Sequence, residues 1–375
     1  MDAPSAAYRE RSSWLQAIVL VGGEGTRLRP LTYGTPKPMV PIMGVPFLAR
    51  TLERLCEAGI RDVILPAGYM PQAIVDYFGD GSQLGMKITY VIEEAPLGTA
   101  GALKNVEEHI NGPFFVLNGD VLTSLDLRAM IAEHERLGGI GLLHLIRVED
   151  PSAFGCVVHD EAMRISAFVE KPPRETAPTN EINAGTYLFE REILAMIPAG
   201  RNVSIERETF PAVIAAGKGL YSHTTDDYWM DIGKPDQYLA AHRDILARRM
   251  PMLALEPGAT GAGAAALGEV AKLNLPVHAD ANVKVDSSAE LGPNVVLGDG
   301  CSIGARAIVR NSVLWDGVIV EDGAIIEGAI IASGSHIGRE ARIFEGSVIG
   351  HDTTIDAGRV LDAGSRVGAT APISR

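Results

Sequence analysis

The chain has 375 residues, which is long enough for two domains. Its net charge is −14, and the sequence shows no basic stripe that would bind nucleic acid. No run of 18 apolar residues predicts a membrane span, and three widely separated cysteines show no metal-ligand spacing. Residues 1–13 lack the apolar core of a signal peptide and predict a disordered arm. We therefore expect a cytoplasmic enzyme that acts on small molecules.

Strand-like and helix-like segments alternate from residue 14 to residue 248, the predicted catalytic domain. Strands are expected over residues 17–21, 63–66, 88–92 and 114–117, and helices over residues 47–58, 71–78 and 100–109. This alternation indicates an α/β fold with a Rossmann-like, mostly parallel sheet that binds ligands at the carboxyl ends of its strands. Three later strand-like segments, over residues 141–148, 155–159 and 165–170, predict antiparallel additions that form a lid.

The composition and the hydrophobic periodicity of the sequence change near residue 249. Residues 249–275 are rich in Gly and Ala and predict a linker. Beyond them, over residues 276–375, apolar residues recur every six positions, with two contractions to five between Val309 and Ile337. The first lead positions are Val285, Leu291, Leu297, Ile303 and Val309, and a second inward position follows four residues later, at Ala289, Val295, Cys301, Ala307 and Val313. This hexapeptide pattern predicts a parallel β-helix.

A glycine loop, GGEGTRLRP, directly follows the first predicted strand. Backbone N–H groups approach an anion closely at Gly22, Gly23 and Gly25, because no Cβ intervenes. Cationic side chains at Arg27, Arg29 and Lys37 add positive charge that suits a polyphosphate. The loop lacks the Gly-Lys-Ser/Thr of a Walker A loop, and Leu28 stands where a dinucleotide fingerprint has its third glycine.

The string GGEGTRLRPLT with PKPM downstream resembles the signature of the sugar-1-phosphate nucleotidyltransferases, and the resemblance covers nearly the whole chain. It implies that the β-helix is left-handed. It also implies that Thr26 and Arg27 contact the nucleotide and that Lys37 contacts phosphates at the reacting centre. Fixed cations there offset the repulsion between two anions that must meet.

Two further motifs, LNGDVL and YWMDIG, match the aspartates that hold Mg²⁺ in this family. The resemblance makes Asp120 and Asp231 the expected metal ligands, and Asp120 a catalytic residue. Carboxylate oxygens are the ligands that Mg²⁺ prefers when it also binds substrate phosphates.

The same resemblance assigns the sugar phosphate to four residues. EKP places Glu170 on the sugar hydroxyls and Lys171 on the phosphate, while the INAGTY segment contributes Asn183. Gly155 matches the position where relatives bring backbone close to the hexose. Trp229, in the same motif as Asp231, is consistent with a place in the core.

The base pocket is expected around EEAPLGTAGA, with Glu93, Gly98 and Thr99 as nucleotide contacts. Thymidylyl and uridylyl relatives tend to carry a glutamine at the position of Glu93. An ionised carboxylate only accepts hydrogen bonds, and guanine offers N1–H and N2–H₂ side by side. The closest resemblance is to mannose-1-phosphate guanylyltransferases, and it is carried by residues 93–103, 204–211 and 229–233. The alternative that the Glu93 side chain faces solvent is left open.

The leading prediction is therefore GTP plus mannose 1-phosphate giving GDP-mannose and pyrophosphate. The alternatives are dTTP or UTP with glucose 1-phosphate, and a non-catalytic regulatory paralogue that senses the product. An acyltransferase role for the β-helix would use His336 or His351, but histidines at outward corners of such coils are usually solvated. We expect the β-helix to mediate homo-oligomerisation, and its removal to spare some catalysis.

Overall fold

The computed structural model describes residues 15–253, 255–256, 258–270 and 272–368. The predicted arm of residues 1–13 lies outside these ranges. Within them, no helix has the length and apolar character needed to cross a membrane. The contacts divide the chain into two compact units. The first comprises Met1–Gly23 and Leu48–Trp229, and the second comprises Glu24–Phe47 and Met230–Arg375.

The elements up to residue 246 are, in chain order, β1 (Gln16–Leu20), β2 (Pro41–Ile42), β3 (Val45–Pro46), α1 (Phe47–Glu57), β4 (Asp62–Ala67), α2 (Pro71–Phe78), β5 (Lys87–Ile92), α3 (Gly98–Asn105), β6 (Phe114–Asn118), β7 (Val121–Thr123), α4 (Leu127–Leu137), β8 (Gly141–Arg147), β9 (Gly155–His159), β10 (Ile165–Glu170), β11 (Glu181–Phe189), α5 (Phe210–Ala215), β12 (Leu220–Thr225), β13 (Trp229–Asp231) and α6 (Pro235–Leu246). Each predicted strand and helix of this region corresponds to one of them.

The first unit is built on a nine-stranded sheet with the central order β11-β6-β1-β4-β5. Strands β6, β1, β4 and β5 run parallel, with Val19 opposite Leu117 and Ala17 opposite Val63. Strands β6, β1 and β4 are apolar and almost fully buried, which is the burial expected of a parallel sheet covered on both faces, whereas β5, at the end of the strand order, is only partly buried. The predicted Rossmann-like architecture is confirmed.

The additions to this sheet are less uniform than the sequence predicts. Strand β9 pairs antiparallel with β10, and β8 pairs antiparallel with β11. However, β12 joins β8 in parallel, so the additions are not all antiparallel. Neither β11 nor β12 is among the predicted strands. Their pairing is set by partners far away in sequence, which a local pattern does not contain.

One predicted helix has the wrong bounds. The expected helix over residues 100–109 begins two residues earlier, at Gly98, and ends at Asn105, before a separate 3₁₀ turn, Glu107–His109. Val106, between the two, is fully buried and has left the helical conformation, with φ −101° and ψ 8°. The burial of this side chain accompanies the break that amphipathic periodicity did not predict.

The second unit contains a three-sided parallel β-helix. Its strands are β14 (Ala259–Thr260), β15 (Lys272–Leu273), β16 (Val277–Ala279), β17 (Lys284–Val285), β18 (Glu290–Leu291), β19 (Val295–Leu297), β20 (Ser302–Ile303), β21 (Ile308–Arg310), β22 (Val313–Leu314), β23 (Ile319–Val320), β24 (Ile325–Glu327), β25 (Ile330–Ile331), β26 (His336–Ile337), β27 (Arg342–Ile343), β28 (Val348–Ile349), β29 (Thr354–Ile355), β30 (Val360–Leu361) and β31 (Arg366–Val367). They stack into sheets of seven, six and five strands. This is the predicted left-handed β-helix.

The apolar column of the β-helix follows the predicted lead positions. Leu291, Leu297, Ile303 and Val309 are all buried in one continuous cluster. The contractions to five residues shorten the coil from 18 residues, where Val277 pairs with Val295, to 17, where Val296 pairs with Val313. Val313 is buried but stands outside that cluster, because the shorter coil places Leu314 there.

Two features of the β-helix were not predicted. Strand β14 pairs with β16 and β15 with β18, so parallel pairing of coils already begins within the Gly- and Ala-rich stretch of residues 249–275. Three fully buried serines, Ser312, Ser335 and Ser347, also stand at inward positions. Their hydroxyls donate to the backbone oxygens of Arg310, Gly350 and Asp362. These bonds satisfy polar groups that the apolar column leaves without water.

Candidate active site

The carboxyl ends of three neighbouring parallel strands meet in the first unit. Gly22 follows β1, Gly68 follows β4 and Glu93 follows β5. A Cβ added to Gly22 would lie 3.2 Å from Glu93 Oε2, and one added to Gly68 would lie 3.4 Å from the Gly22 carbonyl oxygen. Gly23 has open space around its Cα. Gly22 and Gly68 therefore allow the ends of these strands to approach each other closely, and the Glu93 carboxylate lies next to Gly22.

Glu93 is half-buried, whereas its neighbour Glu94 is exposed. Its Oε1 atom is buried and has no hydrogen-bond partner among the described residues. Burial raises the pKa of the Glu93 carboxyl above its usual value. A desolvated acceptor without a donor is costly to keep, and such groups concentrate at binding sites. The solvent-facing orientation that the sequence left open is not the one observed.

A second segment holds the start of α3 in place. Gly98 has φ +71°, and a Cβ there would lie 2.7 Å from the carbonyl oxygen of Val203, so only glycine fits. That carbonyl accepts the amide N–H of Ala100, and the Val203 amide donates to Leu97 O. The turn carrying Gly98 is therefore fixed by residues about 100 positions later, the SIERETFP motif region.

The Thr99 hydroxyl is already engaged in that junction. It donates to Glu206 Oε2 at 3.1 Å and accepts the Ile205 amide N–H at 2.8 Å. Ser204 also donates to Glu206, at 2.7 Å, and caps the π-helical turn Ile205–Thr209. The Thr99 hydroxyl thus links the start of α3 to the turn at Ile205–Thr209. The motif alone did not reveal this role.

At the end of β6, Asp120 is half-buried next to Gly119, whose amide donates to Leu20 O. Asn118 lies beside Gly185 of β11. A Cβ at Gly185 would lie 2.5 Å from Asn118 Nδ2, and this glycine has φ +76°. The sugar-side INAGTY segment therefore passes close to the LNGD motif within the same unit.

Tyr187 holds one of the predicted residues, Asn183, and sequence reasoning missed it. Its fully buried hydroxyl accepts a hydrogen bond from Asn183 Nδ2 at 2.7 Å. Burial, followed by the charge of Glu206, raises the pKa of this phenol well above its usual range, with smaller contributions from Glu170 and Asp120. The phenol therefore stays protonated and orients Asn183. An aromatic residue within INAGTY was the only available signal.

Strands β9 and β10 place the sugar-side pair. Gly155 stands opposite Glu170 in the ladder, and a Cβ there would lie 3.0 Å from Glu170 Oε2. Lys171 has φ +49°, unusual for a residue with a side chain, and its Nζ lies 3.4 Å from Glu170 Oε1. Trp229 packs edge-on against Phe154 at 5.3 Å and donates to Ala184 O, which gives it a structural place.

The remaining predicted residues lie in the second unit. Gly25 has φ +63° and precedes the 3₁₀ turn Thr26–Leu28. A Cβ at Gly25 would lie 3.0 Å from both Lys37 Cβ and Thr32 Cγ2, and the Thr32 hydroxyl donates to Gly25 O. The loop therefore folds back on itself and brings Lys37 next to the glycine turn.

Arg27 and Asp231 are neighbours in this unit. A Cβ built on Gly233 would lie 2.7 Å from Arg27 Nη2 and 3.1 Å from Asp231 Oδ2. Arg27 is exposed and Asp231 half-buried. The other loop arginine, Arg29, is bound to Glu24 at 2.7 Å and packs over the Tyr33 ring. Arg27, rather than Arg29, is thus the arginine placed beside the YWMDIG motif.

The structure thus groups the predicted residues into two sets. Gly22, Gly23, Glu93, Gly98, Thr99, Asp120, Gly155, Glu170, Lys171 and Asn183 belong to the first unit, and Gly25, Thr26, Arg27, Lys37 and Asp231 belong to the second. Among the described residues, no group of three or more His, Cys, Asp or Glu side chains forms a metal-binding cluster. Glycine turns, two cations and carboxylates are the groups that phosphoryl chemistry requires.

Comparison with known proteins identifies the family of this chain. The profile of the nucleotidyl transferase family matches residues 16–248, and that of the GMPPB C-terminal domain matches residues 273–367. The chain therefore belongs to the nucleotidyl transferase family, as its motifs predicted. Enzymes of this family generally use a divalent metal.

Individual relatives agree with the family assignment. A mannose-1-phosphate guanylyltransferase of Mycobacterium tuberculosis is 43% identical over 305 residues, covering 81% of this chain and 80% of its own. A UTP–glucose-1-phosphate uridylyltransferase of Synechocystis is 33% identical, covering 80% and 83%. The crystal structure of HddC from Yersinia pseudotuberculosis, complexed with GMP-PN, is 32% identical with a TM-score of 0.53, covering 60% of this chain and 97% of its own.

Proposed function

We propose that this enzyme transfers the guanylyl group of GTP to mannose 1-phosphate and releases pyrophosphate. The observation that carries the choice of base is Glu93, whose buried Oε1 has no partner and whose Oε2 faces the Gly22 turn. Guanine presents two adjacent donors, N1–H and N2–H₂, to a carboxylate. The mannose-1-phosphate guanylyltransferase among the relatives supports the same pair of substrates.

In the proposed reaction, an oxygen of mannose 1-phosphate attacks the α-phosphorus of GTP. The new P–O bond gives GDP-mannose, and the bond from the α-phosphorus to the bridging oxygen breaks, so pyrophosphate leaves with the electron pair. Arg27 and Lys37 would offset the charge that accumulates on the phosphates. The closeness of Lys37 to Gly25, and of Arg27 to Gly233, supports these roles.

We propose Mg²⁺ as the divalent metal, with Asp120 and Asp231 as its protein ligands. Two half-buried carboxylates fit a hard cation that completes its shell with water and substrate phosphates. When bound, the metal would supply further neutralisation of phosphate charge.

On the sugar side, we propose that Glu170 and Asn183 bind hydroxyl groups and that Lys171 binds the phosphate. The hydrogen bond from Asn183 to Tyr187 and the ion pair between Lys171 and Glu170 support this, because both fix side-chain direction before the substrate arrives. Gly155 would let the hexose approach the backbone. The lid role predicted for the three segments that form β8, β9 and β10 is part of this proposal.

The second candidate is UTP or dTTP with glucose 1-phosphate, which the uridylyltransferase relative favours. A product-sensing paralogue is disfavoured because Arg27, Lys37, Asp120 and Asp231 are all present. The test is pyrophosphate release by the full-length protein with four NTPs against mannose and glucose 1-phosphates. GDP-mannose formation as the fastest reaction supports the proposal, whereas faster UDP- or dTDP-glucose formation overturns it.

The proposal extends to organisation and location. We propose a catalytic domain in residues 14–248, a homo-oligomerising β-helix in residues 276–375, and a cytoplasmic enzyme. The stretch predicted as a linker, residues 249–275, already contains β14 and β15, which pair with strands of the β-helix. The free cysteines Cys56, Cys156 and Cys301 support a reducing compartment. Sedimentation of a monomer at micromolar concentration would contradict the oligomer.

A further inference from the structure

The loop that carries Arg27 and Lys37 is packed against the β-helix within the second unit. His351 Nε2 donates to the carbonyl oxygen of Leu31 at 3.1 Å and lies 3.1 Å from Thr35 Oγ1. These residues are 320 and 316 positions apart in sequence. His351 is therefore not the solvated corner histidine that the hexapeptide pattern suggests, because its ring nitrogen bonds the loop on either side of Gly34.

Gly34 shows how close this approach is. A Cβ on Gly34 would lie 2.9 Å from His351 Cδ2, although the backbone here has φ −110° and needs no glycine for conformational reasons. Space alone therefore requires glycine. Gly34, two residues before the PKP motif, therefore leaves room for the imidazole.

A second set of contacts fixes the far end of the same loop. The Tyr238 hydroxyl donates to Pro41 O at 2.6 Å and accepts Trp315 Nε1–H at 3.0 Å. Trp315 is buried in the β-helix wall and packs edge-on against His351, with ring centroids 5.4 Å apart. His242 Nε2 accepts the Met43 amide N–H at 3.2 Å. Lys37 lies between the two anchored points, Leu31 and Pro41.

We propose that His351 is a positioning residue for the phosphate loop, so that the β-helix takes part in forming the nucleotide-binding geometry as well as in assembly. This inference rests on the proposed function for its kinetic consequence, whereas its structural part does not. It replaces the expectation that removing the β-helix spares catalysis. The loop would lose its contacts at Leu31 and Thr35, and Tyr238, which bonds Pro41, would lose the hydrogen bond from Trp315.

The charge state of His351 agrees with this role. Burial lowers the pKa of the imidazole below its usual value, against the opposing effects of Leu31 O and Asp352. A neutral ring with hydrogen on Nε2 donates to the carbonyl, and the bond does not depend on protonation at neutral pH.

The test uses full-length variants and two measurements. His351→Ala removes the donor, His351→Gln returns an amide N–H, and Gly34→Ala pushes on the ring from the loop side. His336→Ala is the matched control, because His336 is a half-exposed β-helix histidine bonded to Glu321. Gly268→Ala controls for the glycine change, since nothing lies within 4 Å of its added Cβ.

Hydrogen exchange of peptides from residues 24–47, measured without substrate, reports the loop itself. We expect faster exchange in residues 24–47 of His351→Ala and Gly34→Ala, and unchanged exchange in the β-helix. The second measurement, pyrophosphate release, should show about a 10-fold lower kcat/KM for GTP, the loss of one positioning hydrogen bond. KM for mannose 1-phosphate should not change, and His351→Gln should recover part of the loss.

Exchange and kinetics equal to those of His336→Ala would overturn the proposal, as would faster exchange throughout the β-helix or kinetic loss with an unchanged loop. Gly34→Ala decides the question if His351→Ala does not fold. A wild-type protein without GDP-mannose activity would overturn the proposed function only, because the exchange experiment still tests the role of His351.

Discussion

Replacing Glu93 by Gln is the most informative perturbation of the proposed base pocket. The amide keeps the size of the side chain but presents N–H₂ where the carboxylate presented an acceptor, so one guanine donor would face another donor. The loss of a charged hydrogen bond costs about 2–3 kcal/mol, the lower part of the range for buried charges, because Glu93 is only half-buried. This corresponds to about a 30- to 150-fold lower kcat/KM for GTP.

The assay is kcat/KM for GTP, UTP and dTTP with mannose 1-phosphate held constant. We expect Glu93→Gln to lower the value for GTP and raise those for UTP and dTTP, since an amide pairs with both N3–H and O4 of a pyrimidine. The matched control is Glu94→Gln, at the exposed neighbouring carboxylate, which should behave as wild type. Full GTP preference in Glu93→Gln would refute this reasoning.

The same substitution has a second consequence for stability. Burial raises the pKa of Glu93 above 4.5, so its ionisation costs free energy in the folded protein. That cost is absent below the unfolded-state pKa and fully present above the folded-state pKa. Without substrate, Glu93→Gln should therefore raise Tm at pH 7, and the difference should shrink as the pH falls toward 4.5. A lower Tm at pH 7 would contradict the desolvation argument.

Three further predictions concern the phosphate and metal groups. Arg27→Ala and Lys37→Ala should each lower kcat about 100-fold or more while circular dichroism stays unchanged, because fixed cations offset charge at phosphorus. Asp120→Asn and Asp231→Asn should each shift the Mg²⁺ titration of activity to higher concentration, since an amide is a poorer ligand for a hard cation. Gly25→Ala should lower both Tm and activity, because φ is +63° and the new Cβ would lie 3.0 Å from Lys37 Cβ.

Each of these has a control on the surface. Lys218→Ala removes an exposed cation, Asp226→Asn an exposed carboxylate, and Gly112→Ala adds a methyl group where nothing lies within 4 Å. Near-normal turnover in Arg27→Ala or Lys37→Ala would remove that residue from the proposed mechanism. An unchanged Mg²⁺ titration in both aspartate variants would exclude them as ligands, and a Gly25→Ala protein equal to Gly112→Ala would show that the loop tolerates a side chain.

The apolar column of the β-helix was predictable because one physical requirement repeats along it. Leu291, Leu297 and Ile303 recur every six residues, and all three are buried. The coil around Ala259 escaped prediction because it has no apolar lead and is ordered by backbone pairing with Val277. Side-chain periodicity reports burial, whereas backbone pairing leaves no such mark in the sequence.

The candidate site shows a similar division. Motifs made Gly98 and Thr99 candidate nucleotide contacts, but they do not show that the Thr99 hydroxyl is bonded to Glu206, 107 residues away. Nor does any local pattern connect His351 with Leu31, since that hydrogen bond depends on how two distant segments pack in the folded unit. Contacts between distant side chains arise from tertiary structure, and here they decide which polar groups are available to a ligand.

The central claim, guanylyl transfer to mannose 1-phosphate, is tested most directly by competition. The full-length protein with Mg²⁺ would receive equal concentrations of GTP, UTP, dTTP and ATP together with equal mannose and glucose 1-phosphates, and mass spectrometry would identify the first nucleotide sugar formed. GDP-mannose as the main early product is the predicted result. A UDP- or dTDP-hexose as the main early product would contradict both the proposed reaction and the assignment of Glu93 to guanine.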